Sequence, residues 1–229
     1  MSRARIRELY EHPLGAEDIE RESFRLIDAE APAHALSPLQ WQVARRLIHT
    51  TADFSLLNDL SFSSDAIERG CAALQAGAPI YVDSNMIAAG ISLPRLQRCY
   101  AGYQRTDIHV HVADSDVAEQ AKEAGLPRAV FALRKALPKL PGAIVCFGNS
   151  PVGLLELNRL IVETRLAPAL VVAMPVGFVH VVESKEEVLG LAVPQIAIRG
   201  RRGGSPLAVA TLHALAAIAT ERCSRKKEN

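Results

Sequence analysis

The sequence predicts an α/β fold: a mostly parallel central sheet of about five strands flanked by helices, with an N-terminal helical segment before it. After about residue 78, short apolar runs alternate with longer segments of helical periodicity. The short runs are apolar throughout, as expected for strands that helices cover on both faces. The segments between them are long enough for the crossovers that parallel strands need.

Five apolar runs are the predicted strands, and they cover residues 79–82, 108–112, 143–147, 170–173 and 196–198. The first 75 or so residues are helical in pattern instead. In residues 17–29 the apolar side chains Ile19, Leu26 and Ile27 share one stripe, which predicts a helix.

Later helices are predicted from their start signals. Residues 37–40, Ser-Pro-Leu-Gln, form a capping box with proline at the first helical position, so a helix should run from 39 to about 50. Pro127 and Pro151 are each placed to open a helix, the second running to about residue 163. An alanine-rich helix is predicted over 207–220.

Length and charge limit the organisation and the partners. The chain has 229 residues, 49% of them hydrophobic, and we expect one domain over residues 1–229 with loosely ordered tails at 1–12 and 222–229. Lys and Arg number 26 against 25 Asp and Glu, a net charge of +1. Because that balance gives no global field for a polyanion, we expect no nucleic-acid partner.

Cysteine usage and apolar runs predict a cytoplasmic protein. The four cysteines are scattered, without a C-x-x-C pair, and residues 1–13 lack an apolar signal segment. The longest apolar stretch, residues 166–182, is interrupted by two prolines, a glycine and a histidine. It falls short of the about 20 apolar residues that cross a bilayer, so no membrane association is expected.

The loop after the strand at 143–147 is a candidate anion site, because ligands of parallel sheets bind beyond the carboxyl ends of the strands. Its residues are Gly148, Asn149, Ser150 and Pro151, and Ser150 can cap the next helix. A plain helix start explains the segment equally well. Lys and Ser/Thr are missing where a phosphate-binding loop needs them, which disfavours nucleoside triphosphates.

A second candidate is the basic, glycine-rich turn at residues 199–206. Arg201, Arg202 and Ser205 lie in it, directly before the predicted C-terminal helix, and can bind carboxylates or phosphates. A solvated surface turn remains the alternative. Arg128 is a third candidate, because a cation in the first turn of a helix opposes the helix dipole. Either an anionic ligand or an intramolecular salt bridge would resolve that conflict.

His49 is the candidate proton donor. It ends an amphipathic helix beside hydroxyl and carboxylate side chains, and an imidazole with an ordinary pKa near 6.5 exchanges protons at about neutral pH. A capping or core histidine is the alternative. Ser23 lies on an inward helical stripe, and we expect its hydroxyl to bond its own helix, with a place in the lining of the site as the alternative. His109 and His111 resemble metal ligands in spacing, but we interpret them as structural and expect no metal site.

Six segments, in this order and at these separations, resemble those of the precorrin-8X methylmutases (precorrin isomerases) of cobalamin biosynthesis. They extend over roughly residues 13–220, and the run His-Thr-Thr-Ala-Asp-Phe and the basic glycine turn are the most specific. The matching segments are residues 19–24, 46–54, 83–86, 148–151, 175–178 with 183–185, and 200–205.

The resemblance implies a homodimeric α/β isomerase that needs no cofactor. It would move a methyl group from C-11 to C-12 of precorrin-8X or cobalt-precorrin-8, giving hydrogenobyrinate or cobyrinate. His49 would be the catalytic general acid. Thr50, Thr51 and Asp53 would orient its ring, with capping or stabilising a neighbouring helix as the alternative role of Asp53. The implied substrate-binding residues are Ser23, Thr50, Thr51, Asn85, Arg128, Asn149, Ser150, Arg201, Arg202 and Ser205.

Some residues depart from the family pattern. Pro127 and Ala129 flank Arg128 where relatives tend to have hydroxyl side chains, and Val152 replaces a frequent threonine. His180 and His213 stand where smaller or amide side chains are usual. These changes affect the expected substrate binding more than the expected reaction.

Two other functions remain open from the sequence. A non-catalytic tetrapyrrole carrier would fit the departures around Arg128, and turnover distinguishes it from an isomerase. A dinucleotide-dependent oxidoreductase would share the alternation of strands and helices. That second alternative is weaker, because no G-x-G-x-x-G motif follows a predicted strand.

Overall fold

The structure is a computed structural model that describes the backbone of residues 4–228 and the side chains of residues 4–223. Within that range the chain forms eleven α-helices. In order they are α1 (Ile6–Glu11), α2 (Ala16–Glu30), α3 (Pro38–Thr51), α4 (Ala66–Gln75), α5 (Asn85–Gly90), α6 (Leu93–Cys99), α7 (Ser115–Ala124), α8 (Arg128–Ala136), α9 (Pro151–Thr164), α10 (Val181–Leu189) and α11 (Ser205–Glu228).

Six strands form one sheet in the order β1-β6-β5-β4-β2-β3. They are β1 (Leu60–Phe62), β2 (Ile80–Val82), β3 (Ile108–His109), β4 (Ile144–Phe147), β5 (Leu170–Ala173) and β6 (Gln195–Ile198). Every neighbouring pair is parallel except β1 with β6, which is antiparallel. The predicted mostly parallel sheet is confirmed, with six strands instead of about five.

Two predictions about the strands were inaccurate. β1 was not predicted; its three residues are too few to display a period. β3 was predicted to reach residue 112 but ends at His109, because its ladder with β2 contains only two pairs of residues. The predictions for the four inner strands are confirmed to within one residue.

The start signals of α3, α8 and α9 are confirmed, whereas α11 begins at Ser205, two residues before its predicted start. Ser37 accepts a hydrogen bond from the Gln40 backbone while the Gln40 side chain accepts one from the Ser37 backbone, which is the expected capping box of α3. Ser150 caps α9, and α8 begins directly after Pro127. Of the predicted loose tails, residues 1–3 and 229 lie outside the described residues, while α1 and α11 occupy much of the rest.

Helices cover both faces of the sheet. On one face α11 packs against α3, α4, α5 and α6. On the other face α8, α9 and α10 pack over a second apolar cluster that includes Phe147, Leu157 and Val171. Cys71, Cys99 and Cys146 are buried free thiols, and Cys223 is free as well.

The α11 N-terminus lies at the carboxyl ends of the parallel strands. Gly148, just after β4, touches Ser205 so closely that a Cβ there would be 2.7 Å from the Ser205 Cα. Only glycine permits this approach. The loops expected to carry the site therefore meet at one edge of the sheet. None of the described helices is both long and apolar enough to cross a membrane.

Candidate active site

His49 and Ser23 form the central contact of the site. The Ser23 Oγ lies 2.7 Å from the His49 Nδ1, which joins the last turn of α3 to the middle of α2. The expectation that this hydroxyl bonds its own helix was wrong. A second helix lies close enough to offer the imidazole as a partner instead.

The His49 ring is exposed on its other side, so it is not a core histidine. Phe24 packs against it edge to face, with the ring centroids 5.3 Å apart. Ser23 holds one ring nitrogen and Phe24 limits the tilt of the ring. The Nε2 has no hydrogen-bond partner among the described residues, so it is available to a ligand.

Thr50, Thr51 and Asp53 do not touch the imidazole, contrary to the expected orienting role. The two threonine hydroxyls donate to backbone carbonyls one turn earlier in α3, at 2.9 and 3.0 Å. Asp53 accepts a hydrogen bond from the Ser55 backbone. The orienting residues are Ser23 and Phe24, which the sequence could not place beside His49 because they come from a separate helix.

Arg46 lies one turn before His49 and forms part of a three-residue ion cluster. Its guanidinium donates to Glu20 at 2.9 Å, and Arg95 of α6 lies 3.3 Å from the same carboxylate oxygen. The hydrogen bond from Arg46 is the main cause that lowers the Glu20 pKa. Two guanidiniums share one carboxylate, so this cluster carries a net charge of +1.

A cavity of about 350 Å³ lies beside this cluster between α3, α5 and α11, and we call it the α3–α11 cavity. Most of its wall is apolar, with a few polar groups, a composition typical of small-molecule sites. Its lining residues are Arg46, Thr50, Met86, Gly90, Ser205, Pro206, Val209, Ala210 and His213.

A second, more polar depression of about 470 Å³ lies between α2 and α6, and we call it the α2–α6 hollow. Phe24 and Glu20 line it, so it borders on the His49 ring and on the ion cluster. Arg21, Arg95 and Arg98 add positive charge to its wall. The two depressions therefore lie on either side of the Glu20–Arg46 ion pair.

Arg202 connects the basic turn to the loop that follows α3. Its guanidinium pairs with Asp53 and also donates to the Ser55 hydroxyl at 2.7 Å. Hydrogen bonds from Ser55, together with the Arg202 charge, keep the Asp53 pKa below its usual value. The turn predicted either to bind anions or to be solvated is thus fixed beside the His49 segment.

Lys185 of α10 also holds the basic turn in place. Its side chain is fully buried, and the Nζ donates to the carbonyls of Gly200 and Arg202 at 3.0 and 2.6 Å. Burial lowers the Lys185 pKa to about 8. Gly203 adds a steric constraint, because a Cβ there would overlap the Met174 carbonyl oxygen.

Arg201 is the more available cation of the turn. Its guanidinium lies over the Phe178 ring, 5.3 Å from the centroid, and it has no acidic partner among the described side chains. Phe178 is 82% exposed and Val179 is 71% exposed. A cation therefore lies beside an exposed apolar loop, an arrangement suited to an apolar ligand with acidic side chains.

The helix start at Ser150 already holds an anion of the protein itself. The buried Asp83 carboxylate accepts backbone hydrogen bonds from Gly148, Asn149 and Ser150, at 3.2, 2.8 and 2.6 Å. Burial raises the Asp83 pKa, and these three N–H groups oppose the rise. The Ser150 oxygen accepts from Gly153, whereas the Asn149 side chain is exposed.

Ser205 and Asn85 lie at two neighbouring helix starts. The Ser205 Oγ is 3.0 Å from the Oγ of Ser84, which caps α5, and Ser205 lines the α3–α11 cavity. Asn85 is the exposed first residue of α5, next to the cavity residue Met86. Most of the predicted site residues therefore lie at one edge of the sheet.

Arg128 is separated from this group. It is exposed at the start of α8 and lines a different depression, together with Ala118, Leu126 and Pro127. No salt bridge joins it to a described acidic residue. The structure thus places Thr50 in the wall of the α3–α11 cavity, with His49 and its partner Ser23 next to it, but leaves Arg128 elsewhere on the subunit.

His109 and His111 lie outside the site. The His111 Nδ1 is 2.9 Å from Asp114, a partner that sequence reasoning overlooked, and the two histidine rings stack. Within residues 4–223 no three His, Cys, Asp or Glu side chains lie close enough together to hold a metal ion.

Comparisons with known proteins show the family of the chain. Residues 18–218 match the family model described as precorrin-8X methylmutase. The chain belongs to the precorrin-8X methylmutase family. It is therefore an α/β isomerase of cobalamin biosynthesis that transfers a methyl group within one molecule.

Similar members of the precorrin-8X methylmutase family cover nearly the same length. A cobalt-precorrin-8 methylmutase of Priestia megaterium is 40% identical over 89% of this chain and 88% of the relative. A precorrin-8X methylmutase of Pseudomonas aeruginosa is 37% identical over 89% and 95%. The solved precorrin-8X methylmutase of Thermus thermophilus is 44% identical, covers 90% of this chain and 98% of its own, and has a TM-score of 0.83.

Sequence reasoning missed several residues of this methylmutase site. Glu20 and Arg46 were noticed only as parts of matching segments, and Arg95 was not noticed. Met86 was likewise only part of a segment, and His213 was noted only as a departure. Arg46 and Glu20 carry opposite charges on two predicted helices, but no spacing rule predicts that those helices pack together.

Proposed function

We propose that this chain catalyses the migration of a methyl group from C-11 to C-12 of precorrin-8X or its cobalt form, with His49 as the general acid. The observation that supports this assignment is the Ser23–His49 hydrogen bond, which holds an exposed imidazole next to Thr50 of the α3–α11 cavity wall and against Phe24 of the α2–α6 hollow. The bond leaves the Nε2 available to the substrate.

The reaction needs only a proton from the protein. As the bond from the methyl carbon to C-11 breaks, the bond to C-12 forms, so atoms and electrons balance within the macrocycle. In the protonated imidazole both nitrogens donate, Nδ1 to the Ser23 oxygen and Nε2 to ring C of the substrate. After proton transfer the Nδ1–H bond to Ser23 remains, and the Nε2 recovers the proton when the new conjugation forms.

The acidic side chains of the macrocycle need donors around it. Arg201 and Arg202 on the basic turn supply cations, and Ser205 supplies a hydroxyl at the cavity wall. Asn85 and Asn149 are exposed amides at the same edge of the sheet. These groups position the substrate without reacting, so their loss should raise KM more than it lowers kcat.

A homodimer completes the proposal, and Arg128 provides a reason for it. For Arg128 to bind the substrate it must come from the partner subunit, because in its own subunit it lines a separate depression. Exposed apolar side chains on the N-terminal helices, among them Ile6, Tyr10 and Ile19, are suited to a subunit interface. We place the reaction in the cytoplasm.

Visible absorption spectroscopy tests the assignment. The purified protein is mixed with precorrin-8X and, separately, with cobalt-precorrin-8, and the bands of the product are followed over time. Catalytic conversion of either substrate supports the isomerase. Tight binding of the two substrates with conversion of neither would instead support a tetrapyrrole carrier.

A further inference from the structure

His213 of α11 presents a hydrogen-bond donor to the α3–α11 cavity, and one backbone contact determines which nitrogen is the donor. The Ser92 backbone N–H lies 3.0 Å from the His213 Nε2 and can only donate. The Nε2 must therefore be the unprotonated nitrogen. The ring proton is on the Nδ1, and the side chain is a neutral N–H donor.

The surroundings keep this ring neutral. Burial is the main cause that lowers the His213 pKa to about 4, and the guanidiniums of Arg95 and Arg46 lower it further. Glu20 acts in the opposite direction but is shared by the two arginines. These three residues are the charged groups that act on the ring from α6, α3 and α2. Protonation would also break the bond from Ser92.

The Nδ1–H has no acceptor among the described residues. His213 is half-buried and lines the α3–α11 cavity, so an oxygen atom of a ligand in the cavity can accept from this donor. The ion cluster beside it carries two guanidiniums and one carboxylate, and its Arg46 lines the same cavity. An oxygen that bears negative charge would satisfy both the donor and the excess positive charge.

We propose that the His213 Nδ1–H and the Arg46 guanidinium together bind one carboxylate side chain of the macrocycle in the α3–α11 cavity. This subsite rests on the proposed function, which supplies a substrate with peripheral carboxylates. The apolar wall formed by Met86, Val209 and Ala210 contacts the edge of the ring system next to that side chain.

Two substitutions test the Nδ1–H donor and the hydrogen bond from Ser92 to the Nε2 separately. His213→Asn places an amide nitrogen near the position of the Nδ1 and removes the acceptor for Ser92. His213→Gln places an amide oxygen near the position of the Nε2 and removes the donor to the cavity. Thermal unfolding and steady-state kinetics with precorrin-8X or cobalt-precorrin-8 are measured for both variants and for the wild type.

We expect His213→Gln to unfold close to the wild-type temperature and to raise KM by about 10-fold or more with kcat largely kept. His213→Asn should lose stability but keep KM near the wild-type value. Equal rises in KM in the two variants, or none in His213→Gln, would overturn the subsite. If the wild type itself fails to convert either substrate, the proposed function fails instead.

Nitrogen NMR of the wild-type protein with labelled histidine tests the tautomer directly. We expect the His213 ring to stay neutral and Nδ1-protonated between pH 6 and 8, and its Nδ1 signal to shift when the tetrapyrrole is added. An Nε2-protonated ring, or an Nδ1 signal that does not shift when the tetrapyrrole is added, would contradict the proposal.

Discussion

Arg202 forms an ion pair with Asp53, so the basic glycine turn is bound to the residues that directly follow the His49 helix. Asp53 in turn caps the short helical segment after α3 through Ser55. This contact, together with the Arg202–Ser55 bond and the Lys185 bonds to the turn, sets the distance between the proposed proton donor and the cations proposed to hold the substrate.

Replacing Asp53 tests this coupling. Asp53→Asn removes the charge while keeping the shape, and we expect KM to rise several-fold with a smaller change in kcat, because Arg202 loses its ion pair and the turn is held less firmly. Asp65→Asn is the matched control, since Asp65 pairs with Arg69 on the exposed surface of α4. Steady-state kinetics of the two variants would refute the coupling if KM changed equally in both.

Asp83 should be essential for the stability of the site edge. Asp83→Ala leaves the three backbone N–H groups of residues 148–150 without an acceptor, so we expect the free energy of unfolding to fall by about 3 kcal/mol or more. Chemical denaturation measures the change. Asp116→Ala, at an exposed ion pair with Lys135, is the control. A loss for Asp83→Ala as small as the control's would show that the loop does not depend on this carboxylate.

His213 makes stability depend on pH in acid. Burial lowers its pKa from 6.5 to about 4, so between these values the unfolded chain binds a proton that the folded chain does not. The contribution is complete above pH 6.5 and is lost as the pH falls toward 4, by at most about 1.4 kcal/mol per pH unit. Denaturant unfolding at several pH values should give a shallower dependence for His213→Gln. An unchanged dependence would contradict the low pKa.

The fold was predictable where local patterns are strong. The capping box at Ser37 and the apolar run of β5 gave correct boundaries because capping and burial act over a few residues. β1 could not be predicted, because its pairing with β6 joins residues more than a hundred positions apart and only three residues take part.

The site was predictable in part. His49 and the basic turn could be selected from residue type and order. The Ser23–His49 bond, the cluster of Glu20, Arg46 and Arg95, and the Asp83 carboxylate under Ser150 depend on how separate elements pack. Spacing along the chain carries no information on such contacts.

Mixed variants test whether Arg128 acts across a homodimer. Arg128→Ala alone should raise KM with kcat largely kept. When Arg128→Ala and His49→Ala chains are co-expressed, random pairing leaves about one quarter of all sites with both residues intact. Steady-state kinetics should then reveal a component with the wild-type KM. Without that component, Arg128 does not complete the partner's site.

The central claim is that His49 donates the proton that assists methyl migration. The most direct measurement is a single-turnover visible spectrum of His49→Ala with bound tetrapyrrole, compared with the wild type. We predict that the variant binds the pigment with near wild-type affinity and forms product about 10²- to 10⁴-fold more slowly. Product formation at the wild-type rate would contradict the account.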